Sequence, residues 1–238
     1  MAFESRVEVA LPRCHLGTDD GDVSLSTTAR TTVTRLRERA RTDRADLHAV
    51  LDAGLVCHVG IVRDGAPVVL PTGYGRIDDT VYVHGSTGAG WLRIADGAPV
   101  CLTVTHVDGI VYARSVFHHS MNYRSAVVLG TARLVTDPAE KLAGLRAVTE
   151  QLSPGSWEHA REPDRRELAA TAVFAIDLAE ASVKVRTGPP SDDEPDIAAG
   201  GRWAGVLPVR TVFGTPETCP TLPADTPVPT HVAGRRPA

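Results

Sequence analysis

Apolar residues recur along this chain with two different periods. Leu47, Val50 and Leu51 stand at i, i+3 and i+4, the spacing of one helical face. Asp43 or Asp46 caps that short helix and Gly54 ends it. From Leu55 the pattern changes. Leu55 to Val62 is a continuous apolar run that meets the turn signal Arg63-Asp64-Gly65, so it reads as a buried strand entering a hairpin. Val68 to Tyr74, a turn at Asp78-Asp79, and Val81 to His84 continue the strand pattern, and the glycine-rich stretch Gly85 to Gly90 opens a short helix with Trp91, Leu92 and Ala95 that Gly97 closes. Val100 to Val107 and Ile110 to Phe117, parted by Asp108-Gly109, read as a further hairpin. Tyr123 to Val135 reads as a long strand with a bulge at Gly130. Asp137-Pro138-Ala139-Glu140 is a capping box with proline at the first helical position, followed by the stripe Leu142, Leu145, Val148 and Leu152. A second helix starts at Pro163, and Val173 to Leu178 and Ser182 to Val185 return to strand. The expected class is mainly β: six or seven antiparallel strands forming a small barrel with peripheral short helices.

Proline marks the boundaries. Ten of the 17 prolines follow Arg186, in a segment that also holds Ser191-Asp192-Asp193-Glu194 and Gly200-Gly201, so long helices and central strands are excluded there. Trp203, Val206, Leu207, Val209 and Phe213 distinguish this segment from a solvated tail. Residues 187–238 are therefore expected to form an arm on the barrel or on a partner, residues 43–186 the barrel domain, and residues 1–42 an N-terminal arm. Arg35, Arg37, Arg39, Arg41 and Arg44 have no aromatic residues interleaved, which favours a solvated surface over a nucleic-acid patch.

Composition narrows the class further. Hydrophobic residues make up 42% of the 238 and charged residues 23%, an ordinary globular balance. No apolar run reaches the length of a membrane span, and Met1 to Arg13 lacks the apolar centre of a signal peptide. The net charge of −4 argues against general nucleic-acid binding. Cys14, Cys57, Cys101 and Cys219 are scattered, as expected of reduced thiols in a cytoplasmic protein.

Several catalytic motifs are missing, among them the Walker loop, H-E-x-x-H, G-x-S-x-G and a dinucleotide fingerprint. Two stretches carry candidate chemistry. Gly85 to Gly90 supplies backbone N–H groups and the hydroxyls of Ser86 and Thr87 ahead of a helix, the parts of a phosphate cradle or of an ordinary strand-to-helix loop. Arg114 to Ser125 is unusually polar for a barrel: arginine pairs with phosphate, histidine and tyrosine exchange protons, and serine and asparagine fix a heterocycle's edge. A polar loop where two strands meet would look the same. His118 and His119 are adjacent on a predicted strand, so they are expected to point to opposite faces and take unequal roles, and are poor candidates to bind one metal together.

Five segments resemble the pyridoxamine 5'-phosphate-oxidase-like FMN-binding split barrels, nearest the nitroimidazole-resistance nitroreductase branch. They are Pro71-Thr72-Gly73-Tyr74-Gly75, Val81 to Ser86, Asn122 to Arg133, Lys184 to Pro190 and Trp203 to Pro208. The resemblance implies a homodimer with FMN at the interface, acting on a small molecule by nitro-type reduction or amine-type oxidation. By it, Pro71, Thr72, Gly73 and Tyr74 line the isoalloxazine with backbone groups. His84, Gly85, Ser86 and Thr87 lie by the ribityl phosphate, and Ser115, Tyr123, Arg124 and Ser125 complete the pocket. His118, His119 or Tyr123 handles the proton. The basic residue usual at the head of the helix is missing from Gly88-Ala89-Gly90-Trp91, and the first base is Arg93, so Arg124 is expected to be the main cation for the phosphate. Some split barrels bind haem, and here His58, His84, His118 or His119 would be the axial ligand. A flavin-binding module without turnover is the third alternative.

Overall fold

The alternation of apolar and polar positions is realised as ten antiparallel strands in a computed structural model that describes residues 24–26, 28–90, 95–223 and 225–236. In chain order these are β1 (Ala40–Arg41), β2 (Val56–Arg63), β3 (Ala66–Ile77), β4 (Thr80–Ser86), β5 (Pro99–Tyr112), β6 (Ser120–Thr131), β7 (Arg133–Leu134), β8 (Thr171–Asp177), β9 (Ala181–Arg186) and β10 (Gly205–Pro208). They pair in the order β1-β9-β6-β5-β2-β3-β4-β8-β7, with β10 added beside β5. The β2–β3 hairpin turns on Asp64 and Gly65, both at positive φ, as a two-residue turn between twisted strands requires. β3 pairs with β2 through Ala66–Gly73 and with β4 through Tyr74–Ile77, so one strand turns the corner between two sheets. This split barrel encloses Cys57, Val59, Tyr74, Leu102, Val104, Phe174 and Ile176, all essentially inaccessible. Each such buried side chain contributes about 1.5–3 kcal/mol. Cys14, and Trp91 and Leu92 of the expected short helix, lie outside the described residues.

Helix α1 (Arg44–Asp52) seats Leu47, Val50 and Leu51 in that core, and the Asp43 carboxylate accepts from Ala45 N at 2.7 Å as its cap. Helix α2 (Pro138–Leu152) lies outside β3 and β4 over a second cluster of Tyr82, Val135, Val148, Val173 and Ala175. Close approach there needs two glycines. A Cβ on Gly144 would stand 2.7 Å from the Tyr82 ring, and one on Gly75 would strike the backbone of Ala147 and Val148. Leu152 of the expected stripe is exposed. Asp137 caps α2 through Glu140 N, but the Glu140 carboxylate turns to Arg133 and Tyr82 instead of closing the box. The reciprocal box belongs to Asp164 and Glu167, at the head of a helix over Arg165–Ala170.

Two local expectations are corrected. Asp108-Gly109 does not close a hairpin. β5 runs through it as one 14-residue strand, and the bulge expected at Gly130 lies instead in the register shift between Val107 and Gly109. His118 and His119 are not on a strand: Val116–His118 is a 3-10 turn capped by Ser115, so strand alternation does not govern them.

The C-terminal arm runs along its own barrel. β2 pairs with β5 only through residues 101–103, and β10 takes the same strand at residues 109–112. Ahead of β10, the Asp192 carboxylate accepts from the backbone N and the guanidinium of Arg114, both at 2.7 Å. Burial would raise this carboxyl, but those bonds outweigh it and hold it below the usual range. Further on, Arg235 donates to the Leu152 carbonyl at 3.1 Å and lies 4.9 Å from the Phe213 ring centroid, tying the tail to the end of α2. No helix among the described residues is long and apolar enough to cross a membrane.

Candidate functional site

Strand alternation sorts the candidates on β6. Ala126 and Val128 face the core, so Arg124 shares their inward side at the barrel's end while Tyr123 and Ser125 face outward. Arg124 forms a two-pronged pair with Asp108, Nε and Nη2 each donating at 3.0 Å, and this pairing raises its pKa. On the outward side the β9 register sets Arg186 opposite Tyr123 and Lys184 opposite Ser125. Arg186 is 9% exposed, yet its guanidinium bonds only neutral acceptors: Asn122 Oδ1, Gly188 O at 3.4 Å and Pro189 O at 3.1 Å. Burial first, and the nearby Arg39 charge second, lower its pKa from the usual arginine value. Among the described residues neither Arg186 nor Lys184 has a carboxylate partner.

The other expected group lies elsewhere. Pro71 is exposed, while Thr72 and Gly73 are half-buried on the part of β3 that β4 leaves unpaired. Tyr74 turns into the core, where its hydroxyl donates to the Leu51 carbonyl and burial raises its pKa. Beyond the gap between the sheets follow His84, Gly85, Ser86 and Thr87. Their turn is internally bonded: Thr87 N donates to Ala170 O at 2.9 Å, Gly88 N to Ser86 Oγ at 3.2 Å, and Ala89 N to Ser86 O at 2.8 Å. Arg93 lies outside the described residues. Two strands, β2 and β5, separate β3 from β6, a span of about 14 Å at the usual strand spacing. One chain therefore keeps the Pro71–Thr87 group apart from Tyr123 and Ser125. The face between them is apolar and open, with Val56, Val62, Val69, Val107 and Met121 all exposed.

At the barrel's end opens a cleft of about 940 Å³. His58, His106, Val56, Val104 and Val107 line one side, and Val209, Val212 and Phe213 of the arm the other. Arg124, Arg210, Arg235 and Arg236 also border it. His106 Nε2 donates to the Val50 carbonyl at 2.9 Å, whereas His58 makes no hydrogen bond among the described residues. This size falls within the range of cofactor pockets.

The remaining histidines are differently held. His118 Nε2 lies 3.1 Å from the Asp193 carboxylate. His119 Nδ1 donates to the Ser115 carbonyl at 3.1 Å, which leaves Nε2 with its lone pair, and the ring meets Tyr112 edge-on at 5.7 Å. Buried His84 Nδ1 has no partner among the described residues, and burial lowers the pKa of the ring. The unfolded ring, titrating near pH ~6.5, takes up a proton first, so stability from this group is present above that value and declines as pH falls. Thermal denaturation should show Tm falling below about pH 6.5, with a shallower acid limb in His84→Gln. Equal limbs would remove His84 as the cause. Burial also pushes the Cys57 thiol up to about 12, keeping it protonated and unreactive in the core.

The family model described as pyridoxamine 5'-phosphate oxidase matches residues 43–185. The chain is similar to the flavocytochrome Anf3 from Azotobacter vinelandii, with 42% identity over 89% of this chain and 98% of that one and a TM-score of 0.83. It is likewise similar to the FAD and haem binding protein from Mycobacterium smegmatis, at 42% identity over 84% of this chain and 98% of that one, TM-score 0.80. A protein from Bacteroides thetaiotaomicron named for 5-nitroimidazole antibiotic resistance shares the fold at 21% identity, covering 61% of this chain and 86% of that one, TM-score 0.52. Among curated proteins none matches.

Proposed function

The chain belongs to the pyridoxamine 5'-phosphate oxidase family, and from that premise we propose that it is a homodimeric redox protein binding both a flavin nucleotide and haem. The cleft at the barrel's end carries the haem half of this reading. It joins the apolar side chains of Val56, Val104, Val107, Val209, Val212 and Phe213, a histidine with no hydrogen bond among the described residues, and Arg210, Arg235 and Arg236, which would suit a porphyrin, an axial ligand and propionates respectively. The carboxylate of Asp108, also in the lining, is taken by Arg124. Flavin and haem, which the sequence alone offers as alternatives, would here be complementary, a reading supported by the names of two structures 42% identical to this chain, a flavocytochrome and an FAD and haem binding protein. The second name favours FAD over FMN.

His58 would hold the haem iron, and Arg210, Arg235 and Arg236 would meet the propionates, Arg124 being held by Asp108. The flavin would lie on the open outer face. There a twofold partner would bring its own Pro71–Thr87 group to Tyr123 and Ser125 and cover Val62, Val69 and Met121, the exposed residues of that face outside the cleft. When bound, flavin supplies two-electron and haem one-electron chemistry, which together would serve oxidation or reduction of a small molecule. This chain's residues would bind and orient them, with His119 Nε2 and the Tyr123 hydroxyl available to a proton.

The absorption spectrum of the purified protein tests the reading. Flavin bands together with a Soret band are expected, with acid release yielding FAD, and light scattering should give twice the 25.3 kDa chain mass. A colourless protein that takes up neither cofactor would refute it, and a monomer would refute the shared site.

A further inference from the structure

Arg186 is a buried cation whose charge no described residue balances. Its bonds run to one amide oxygen and two backbone carbonyls, and among the described residues no carboxylate pairs with it. Such a charge is costly unless an anion meets it. Lys184, two residues back on the same face of β9, is also without a carboxylate partner, and the nearby Arg39 adds to the positive charge. Opposite them stand Tyr123 and Ser125, whose hydroxyls are hydrogen-bond donors. The usual alternative for a phosphate, the glycine turn, has the N–H groups of Thr87, Gly88 and Ala89 already bonded within the protein. Arg124 is held by Asp108 on the other side of its strand.

We infer that Arg186, with Lys184 beside it, forms a phosphate-binding site on the outer face of β6 and β9. The phosphate has two possible sources, the flavin nucleotide itself or a separate phosphorylated small molecule. The first rests on the flavin reading above and the second does not. Nη1 donates to Asn122 and Gly188 and Nη2 to Pro189, which leaves Nε–H and one N–H of Nη2, of the guanidinium's five donors, for a phosphate.

The test uses the full chain stripped of cofactor, titrated with FMN and with riboflavin by flavin fluorescence, and heated with and without inorganic phosphate. The wild type should prefer FMN to riboflavin by about tenfold to a hundredfold, the gain expected from charge-assisted bonds. Arg186→Gln should lose that preference while binding riboflavin as before, and Arg186→Lys should keep part of it. If Arg186→Gln retains the FMN preference but loses a rise in Tm that phosphate gives the wild type, the site serves the second source. If both the preference and the phosphate effect survive, the inference is overturned and Arg186 merely pins the Gly188-Pro189 turn. Should Arg186→Gln fail to fold, Arg186→Lys decides alone, since an undiminished FMN preference and phosphate effect would overturn the site. A chain that binds no flavin refutes the flavin reading, and the phosphate arm still decides Arg186.

Discussion

His58→Ala is expected to abolish the Soret band while leaving the flavin bands in place. The reason is positional. His58 lies on the outward side of β2, between the core residues Cys57 and Val59, and borders the cleft of about 940 Å³ at the barrel's end. Removing its imidazole leaves the iron without its protein ligand but alters no core contact, because the side chain is exposed. Loss of outer-shell partners alone typically costs a metal site about tenfold to a hundredfold in affinity, so loss of the ligand should cost at least that. Added imidazole should restore the band if the cleft is otherwise intact. An undiminished Soret band in His58→Ala would move the axial ligand elsewhere, with His119 the next candidate through its anchored Nδ1 and free Nε2.

Gly75→Ala should lower stability by about 3 kcal/mol, the upper end of overpacking costs. For a chain of this size that corresponds to roughly 6–12 °C in Tm. The added methyl would meet main-chain atoms of Ala147 and Val148, which cannot rotate away, so α2 would have to lift from β3. Thermal denaturation reads the loss, and flavin titration of the folded fraction should give wild-type affinity. An unchanged Tm would show that α2 yields without cost. A selective loss of flavin binding would extend the expected cofactor segment Pro71–Tyr74 to Gly75.

The candidate site was only partly legible. The motifs mark stretches of the chain, but residue types do not show direction. Alternation fails at His118 and His119, where a 3-10 turn cancels it. It holds instead at Tyr123 and Arg124, which it sends to opposite sides. Arg124 looked like a free cation because Asp108 looked like a turn residue. Once β5 continues through a bulge, Asp108 becomes its partner. Arg186 stood inside a recognised motif, yet nothing local marks an arginine as buried and without a carboxylate.

What the sequence determined by itself were the features set by neighbours in the chain. The helix caps at Asp43 and Asp137, the Asp64-Gly65 and Asp78-Asp79 turns and most strand positions follow from local sterics and side-chain period. The resemblance carried by five segments added the split barrel. Only the tertiary structure decided what depends on partners far along the chain. It alone showed which edge of β5 receives β10, how α2 closes on Gly75 and Gly144, and what Arg114, Arg124 and Arg186 each bind. The physical reason is that a strand's period fixes only two opposite directions. Which direction is core, cleft or open face depends on the strands that pair with it and on the segments that cover it.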